Sequence, residues 1–287
     1  MPFRPEPGYS SCPHLACHGG LHAVNIDAVR TAFDEQIRRK AEPDEPGAVV
    51  EADDGVLRWV APGSETSCII WSGLTDGTAD AVIAAQKKYF TDRGTPVEWK
   101  YYDYDQPADL PARLMAAGFE PDDDEMMLVA ETSVIDSRVV LPEGVRLVPV
   151  TDEAGLAAMM TVHDLAFTDH PSPELGDRLR GQLDSAGIQM VVAMAGDEPV
   201  SAARVEFVTG TDFAGLWGGG TVPPWRGKGI FRALVAYRAG LAAARGYRYL
   251  QVDALPTSRP ILQRLGFEPV ARTTPYVFTP AGPRADG

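Results

Sequence analysis

The chain has 287 residues, 45% of them apolar, which is enough for one large domain or two ordinary ones and excludes wholesale disorder. Its net charge of −14 lies mostly in the first half, where residues 1–140 hold 12 basic against 25 acidic side chains while residues 141–287 hold 14 against 15, an imbalance that argues against a nucleic-acid partner. No apolar run reaches the roughly 18 residues of a membrane span, the start lacks a secretory core, and the three cysteines make no disulfide framework, so a cytoplasmic protein without membrane contact is expected.

Residues 1–22, rich in Pro and Gly, read as a tail. Within it Cys12, His14, Cys17, His18 and His22 gather soft ligands, but their spacing matches no standard zinc set and no metal site is assigned. From 23 to 135 the periodicity predicts a helix over Ala23–Lys40 and strands over Ala48–Glu51 and Val56–Val60 about an Asp-Asp-Gly turn. A strand Cys68–Leu74, a helix Ala79–Arg93, a strand Val97–Tyr104, a helix Ala108–Ala117 and a strand Glu125–Ala130 follow. The aromatic strand Trp99-Lys-Tyr-Tyr-Asp-Tyr-Asp105 reads as core with one exposed face, or as a wall for a cationic amine.

A polar stretch with Pro142-Glu-Gly marks a seam, and residues 144–280 repeat the plan. Val145–Val150 reads as a strand, Glu153–Phe167 and Pro173–Ser185 as helices, Gln189–Ala195 and Pro199–Val208 as a hairpin. A strand Ala214–Val222 precedes an amphipathic helix Gly229–Arg245, then a strand Tyr247–Asp253, a short helix Ser258–Leu265 and a last strand region Phe267–Phe278. Gly118-Phe-Glu-Pro121 echoes Gly266-Phe-Glu-Pro269, each after a helix with a matching leucine, Leu114 or Leu262. With the shared order of elements, the echo indicates an internal duplication.

The chemistry concentrates in Gly218-Gly-Gly-Thr-Val-Pro-Pro-Trp-Arg-Gly-Lys-Gly-Ile-Phe-Arg232. Glycines 227 and 229 leave backbone amides open at a helix start, and Arg226 and Lys228 add positive charge, a combination suited to a pyrophosphate. Gly218–Gly220 predict a bulge that splays this strand from Tyr247–Asp253 and opens a slot for an extended, amide-rich ligand such as pantetheine. The corresponding N-terminal loop, Gly73-Leu-Thr-Asp-Gly-Thr-Ala-Asp80, has two aspartates and no basic residue, so that half is expected to bind no CoA and to serve as structure or substrate wall.

The stretch Thr221–Ile230 resembles the acetyl-CoA loop of the GNAT family of N-acetyltransferases, whose pattern is Arg or Gln, two residues, Gly, one residue, then Gly or Ala. Arg226 and Gly229 match, Phe231 replaces the last small residue, and Ser258–Phe267 resembles the family's short helix ending in Leu-Gly-Phe. The likeness covers about residues 144–280 well and implies a tandem α+β fold, with a mixed central sheet flanked by helices in each half and a degenerate N-terminal copy. It implies acetyl-CoA as co-substrate held by Thr221, Val222, Arg226, Gly227, Lys228, Gly229, Ile230, Phe231, Arg232 and Ser258, and direct attack by an amine of a small molecule. Main-chain N–H groups around Thr221 and Val222 would polarise the thioester. Transfer of another acyl group, transfer to a hydroxyl, or an inactive acyl-CoA-binding regulator are the alternatives, and monomer and homodimer both stay open. Where many members carry an acidic Tyr on the short helix this chain has Leu262; Tyr276 is the substitute candidate, or a packed core tyrosine. Base candidates are Glu206, Asp253 and His170, which read equally well as a solvent-facing strand residue, a loop cap and a surface histidine.

Overall fold

The computed structural model describes residues 24–43, 47–63, 65–168 and 175–281. Asn25 caps helix α1, Ile26–Phe33, which continues as a π-helical turn over Asp34–Arg38. A hairpin, β1 (Val49–Asp53) and β2 (Val56–Val60), turns at Asp54 and Gly55, both at positive φ (42° and 86°), the geometry that matches strand twist. β3 (Ser67–Ser72), α2 (Ala79–Arg93), β4 (Val97–Tyr102), α3 (Leu110–Ala116), a two-residue β5 (Glu120–Pro121) and β6 (Glu125–Glu131) complete the first half. The second half runs β7 (Val145–Pro149), α4 (Glu153–Ala166), α5 (Leu175–Arg180), β8 (Ile188–Ala195), β9 (Glu198–Phe207) and β10 (Phe213–Thr221). A single 3₁₀ turn, Pro223–Trp225, then leads to α6 (Ile230–Ala244), β11 (Tyr249–Ala254), α7 (Arg259–Arg264) and β12 (Glu268–Phe278). The expected helix over Pro173–Ser185 is shorter than its pattern, giving way at Gly181 to turns. No described helix is long and apolar enough to cross a membrane.

The twelve strands among the described residues form one mixed sheet, in the order β1-β2-β3-β4-β12-β6-β11-β10-β9-β8-β7 with β5 beside β12. The two halves exchange their last strands. β6 of the first half lies antiparallel between β11 and β12 of the second. β12 in turn crosses over, pairing Glu268–Thr273 with β6 and Thr273–Phe278 with β4, while Tyr276 and Val277 also face Pro121 and Glu120 of β5. The sequence echo is a structural one: Gly118 and Gly266 end their helices at φ 91° and 101°, and Phe119 and Phe267 each donate an amide to the carbonyl of the matching leucine, Leu114 or Leu262, five residues back. That is the Schellman stop, with the phenylalanine buried behind it.

Cores form on both faces. α2 and α3 cover one face of the first half, through Phe90, Leu110, Leu114 and Trp99. α6 covers the central strands with Val235, Ala239 and Ala242 against Leu216 and Leu250, and α4 covers β8 and β9 with Leu156, Met159 and Val162. α1 lies on the face opposite α6, where Val29 and Phe33 meet Met127, Phe213 and Tyr249 across the junction of the halves. A buried ion pair fixes its end: Arg38 Nη1 and Nη2 each donate to Asp105 at 2.8 Å, with the guanidinium 4.0 Å from the Tyr102 ring centroid.

Candidate active site

The site begins with a broken ladder. β10 and β11 pair in parallel from Phe213 to Gly215, opposite Tyr249 to Gln251, and then part. On its other edge β10 stays on β9, but the register slips between Trp217 and Gly220, where Gly218 turns at φ 56°. This bulge swings the end of β10 away from β11. A cleft of about 200 Å³ opens between them, lined on the α6 side by Leu216, Gly219, Phe231 and Arg238 and elsewhere by Phe167, Trp217, Glu125 and Asp253. Ser258 and Leu262 close the end under α7.

Val222 donates its amide across to Val200 O of β9 at 3.0 Å, so its N–H is not free for a ligand, against expectation. Successive amides of a strand point to opposite edges, so the N–H of Thr221 faces the open side instead. Beyond the 3₁₀ turn, Gly227 and Gly229 sit at φ 76° and 85°, positions that a side chain would strain. The amides of residues 227–232 find no backbone acceptor among the described residues, and α6 starts without a side-chain cap. These open N–H groups with the helix dipole behind them make an anion site. Ile230 is buried in the α4-side core, so only its backbone can take part, whereas the Phe231 ring lines the cleft and Arg232 is exposed. Arg226 clamps the loop, donating from Nε to Thr221 O at 3.0 Å and from Nη2 to Ala166 O at 3.4 Å, and Lys228 lies 4.2 Å from the Trp225 ring centroid. Ser258 Oγ donates to Leu255 O at 3.2 Å.

The matching place in the first half is filled by its own groups. Thr78 and Ala79 donate their amides to Thr75 O, and Thr75 N–H goes to Thr78 Oγ1 at 3.0 Å. Asp76 and Asp80 stand around Arg113 there, at 3.8 and 3.1 Å.

The three catalytic candidates among the described residues are not brought together. Asp253 lines the cleft, 3.4 Å from Lys100 Nζ, which also holds Glu125 at 2.7 Å. Glu206 lies on β9 bound to Arg204 Nε at 2.7 Å and does not line the cleft. Tyr276 is packed in the α2-side core of the first half, 6.1 Å from the Tyr101 ring, because β12 crosses over; burial raises its hydroxyl above the ordinary tyrosine value. His170 lies outside the described residues, as do Cys12, His14, Cys17, His18 and His22, and no metal-ligating cluster occurs among the described residues.

The structure adds residues that the sequence reading did not single out. Glu125 arrives on the exchanged strand, Trp217 and Phe167 flank the opening, and His163 of α4 lines a small adjoining cavity with Arg204 and Gly218. Arg238 is 2% exposed at the back of the cleft. Its signal was legible: Ile230, Leu234 and Arg238 recur every four residues on the buried stripe of α6, where a charge is out of pattern.

A strand-edge slot running back from an anion nest, in a mixed sheet that carries the plan twice, defines an acyl-CoA-dependent acyltransferase of tandem build. Residues 156–267, in the second half of the chain, match the model of the acetyltransferase (GNAT) family. A GCN5-related N-acetyltransferase from Kribbella flavida superposes at TM-score 0.68 with 16% identity, covering 91% of this chain and 98% of that one. A tandem GNAT protein from the clavulanic acid biosynthesis pathway gives 0.61 with 14% identity over 88% and 95% of the two chains. A GCN5-related N-acetyltransferase from Sphaerobacter thermophilus gives 0.59 with 15% identity over 81% and 83%. Identities this low show the fold alone. No curated protein matches.

Proposed function

We propose that this protein transfers the acetyl group of acetyl-CoA to the amine of a small molecule by direct attack in the β10–β11 cleft. The observation that carries the reading is the freed edge of β10 beside the open amides of residues 227–232. Those amides take the pyrophosphate, the pantetheine lies along the freed edge as an added strand would, and the Thr221 N–H is available to a ligand carbonyl. The second half alone holds the cofactor, since the amides and charges of the Thr75–Asp80 loop are already matched to each other.

The acceptor approaches from the α4 and α1 side, where Glu125 and Asp253 present carboxylates next to Trp217 and Phe167. An anionic, aromatic wall draws a cationic amine, and Asp253 is placed to take the proton that the amine must lose. The test is a panel of small amines with acetyl-CoA, read by thiol release and product mass. Turnover with at least one amine, lost in Asp253→Asn while acetyl-CoA binding persists, is the expected result. Undiminished turnover in that variant would remove Asp253 as the base, and no turnover with any amine would favour an acyl-CoA-binding regulator.

A further inference from the structure

Arg238 is a buried cation left unmatched by the described residues. Nε donates to Leu234 O at 3.0 Å and Nη1 to Arg204 O at 3.1 Å, both neutral carbonyls. Among the described residues it forms no salt bridge, and Nη2 has no hydrogen-bond partner. The charged group nearest in influence is Arg204, of like sign; burial first and Arg204 second pull the guanidinium down to about 9, so it is still protonated at neutral pH. An uncompensated charge in such a place is strongly destabilising. A buried arginine with a free donor facing a cleft therefore points to an anion that arrives from outside.

The position of Arg238 says which anion. A Cβ built on Gly219 would lie 3.5 Å from Arg238 Nη2, so this donor sits against the bulge at the deep end of the freed strand edge. Along α6 it stands eight residues from Ile230 at the anion nest, about 12 Å at the helical rise, a span that an extended pantetheine covers. Phe231 and Leu262 complete the lining there with apolar surface, and the carboxylates Glu125 and Asp253 stand on the opposite face of the sheet. In acyl transfer the amine nitrogen bonds the carbonyl carbon, the C–S bond breaks, and its electron pair leaves on sulfur. The proton lost by the amine goes to the carboxylate side. Leu262 has no proton to give the sulfur.

We propose that Arg238 is a catalytic residue that receives the departing CoA sulfur as a thiolate, its Nη2–H donating to the negative sulfur in place of a general acid on α7. The guanidinium keeps its proton, and the thiolate is stabilised by charge in a site of low polarity, where such an interaction is strongest. This rests on the acyl-CoA reading above.

The experiment needs no acceptor. CoA, desulfo-CoA and acetyl-CoA are titrated into the full chain between pH 6 and 9, and ionisation of the bound CoA thiol is followed by its thiolate absorbance. In the wild type the bound thiol is expected to ionise about one pH unit or more below free CoA, giving CoA about a tenfold preference over desulfo-CoA that grows with pH. Arg238→Met should abolish this shift and the preference and raise Tm, because it removes an unpaired buried charge. Arg238→Lys should keep part of the shift, and reports on the charge should the Met variant fail to fold. An unshifted thiol in a wild type that binds all three ligands overturns this proposal alone. Failure to bind any of the three overturns the acyl-CoA reading and the proposal with it.

Discussion

Gly229→Asp is the sharpest test of the cofactor loop. Gly229 is the residue before α6, at φ 85° and without a side-chain cap. A non-glycine residue in this left-handed conformation costs about 1 kcal/mol. The carboxylate would stand in the nest of open amides, opposite a bound pyrophosphate with about two negative charges. At ~5 Å and an effective dielectric constant of about 40, between bulk water and a protein surface, each charge pair costs about 1.7 kcal/mol, so the repulsion is about 3 kcal/mol. Together with competition by the carboxylate for the same N–H groups, the loss is about 4 kcal/mol, close to a thousandfold in Kd. Calorimetric titration with acetyl-CoA should show one site per wild-type chain and no measurable site in the variant. Gly229→Ala, which adds the strain but not the charge, should lose less than about tenfold. The fold should survive, since an aspartate at a helix start favours the dipole and offsets the strain. Gly229→Asp binding within about threefold of wild type at low salt would refute the placement of the pyrophosphate.

Two further predictions concern buried charges of the first half. Asp105→Asn removes the bidentate partner of Arg38, 3% exposed on its side chain, but leaves Asp34 beside Nη1 at 2.8 Å, and should destabilise the chain by about 1–3 kcal/mol in urea unfolding, whereas a loss of under about 0.5 kcal/mol would show the pair to be idle. Burial above all, together with Glu125, Asp253 and Asp122, raises the Glu98 carboxyl above its ordinary value despite Lys100. A raised folded-state value means that stability is full below the unfolded-state value and falls as pH rises through the folded one. Glu98→Gln should therefore raise Tm at pH 7 and give no gain below about pH 4; equal shifts at both would contradict the burial argument.

Much of the site was written locally. The bulge, the slot and the open helix start follow from Gly218, Gly227 and Gly229 and from the prolines between them, because glycine's backbone freedom acts within a few residues. The Leu114/Phe119 and Leu262/Phe267 stops were legible for the same reason: one helix turn contains all their hydrogen bonds. The end of α5 was misjudged because its apolar pattern runs on past Gly181, the residue that follows its last helical position, Arg180.

Side chains that meet across the sheet were beyond periodicity. Tyr276 belongs to a strand of the second half by sequence, yet β12 crosses to β4 and buries it under α2; Glu125 makes the opposite journey on β6 and reaches the cleft. Alternation tells which face a strand residue takes but not which strand lies beside it. The sequence by itself determined the loop, its glycines and the doubled order of elements, because these are set by backbone geometry over short range. The tertiary structure alone decided that the halves exchange strands, that Asp253 and not Glu206 reaches the cleft, and that Arg238 has no counter-ion among the described residues, because charges and neighbours far apart in sequence are matched only once the strands are assembled into one sheet.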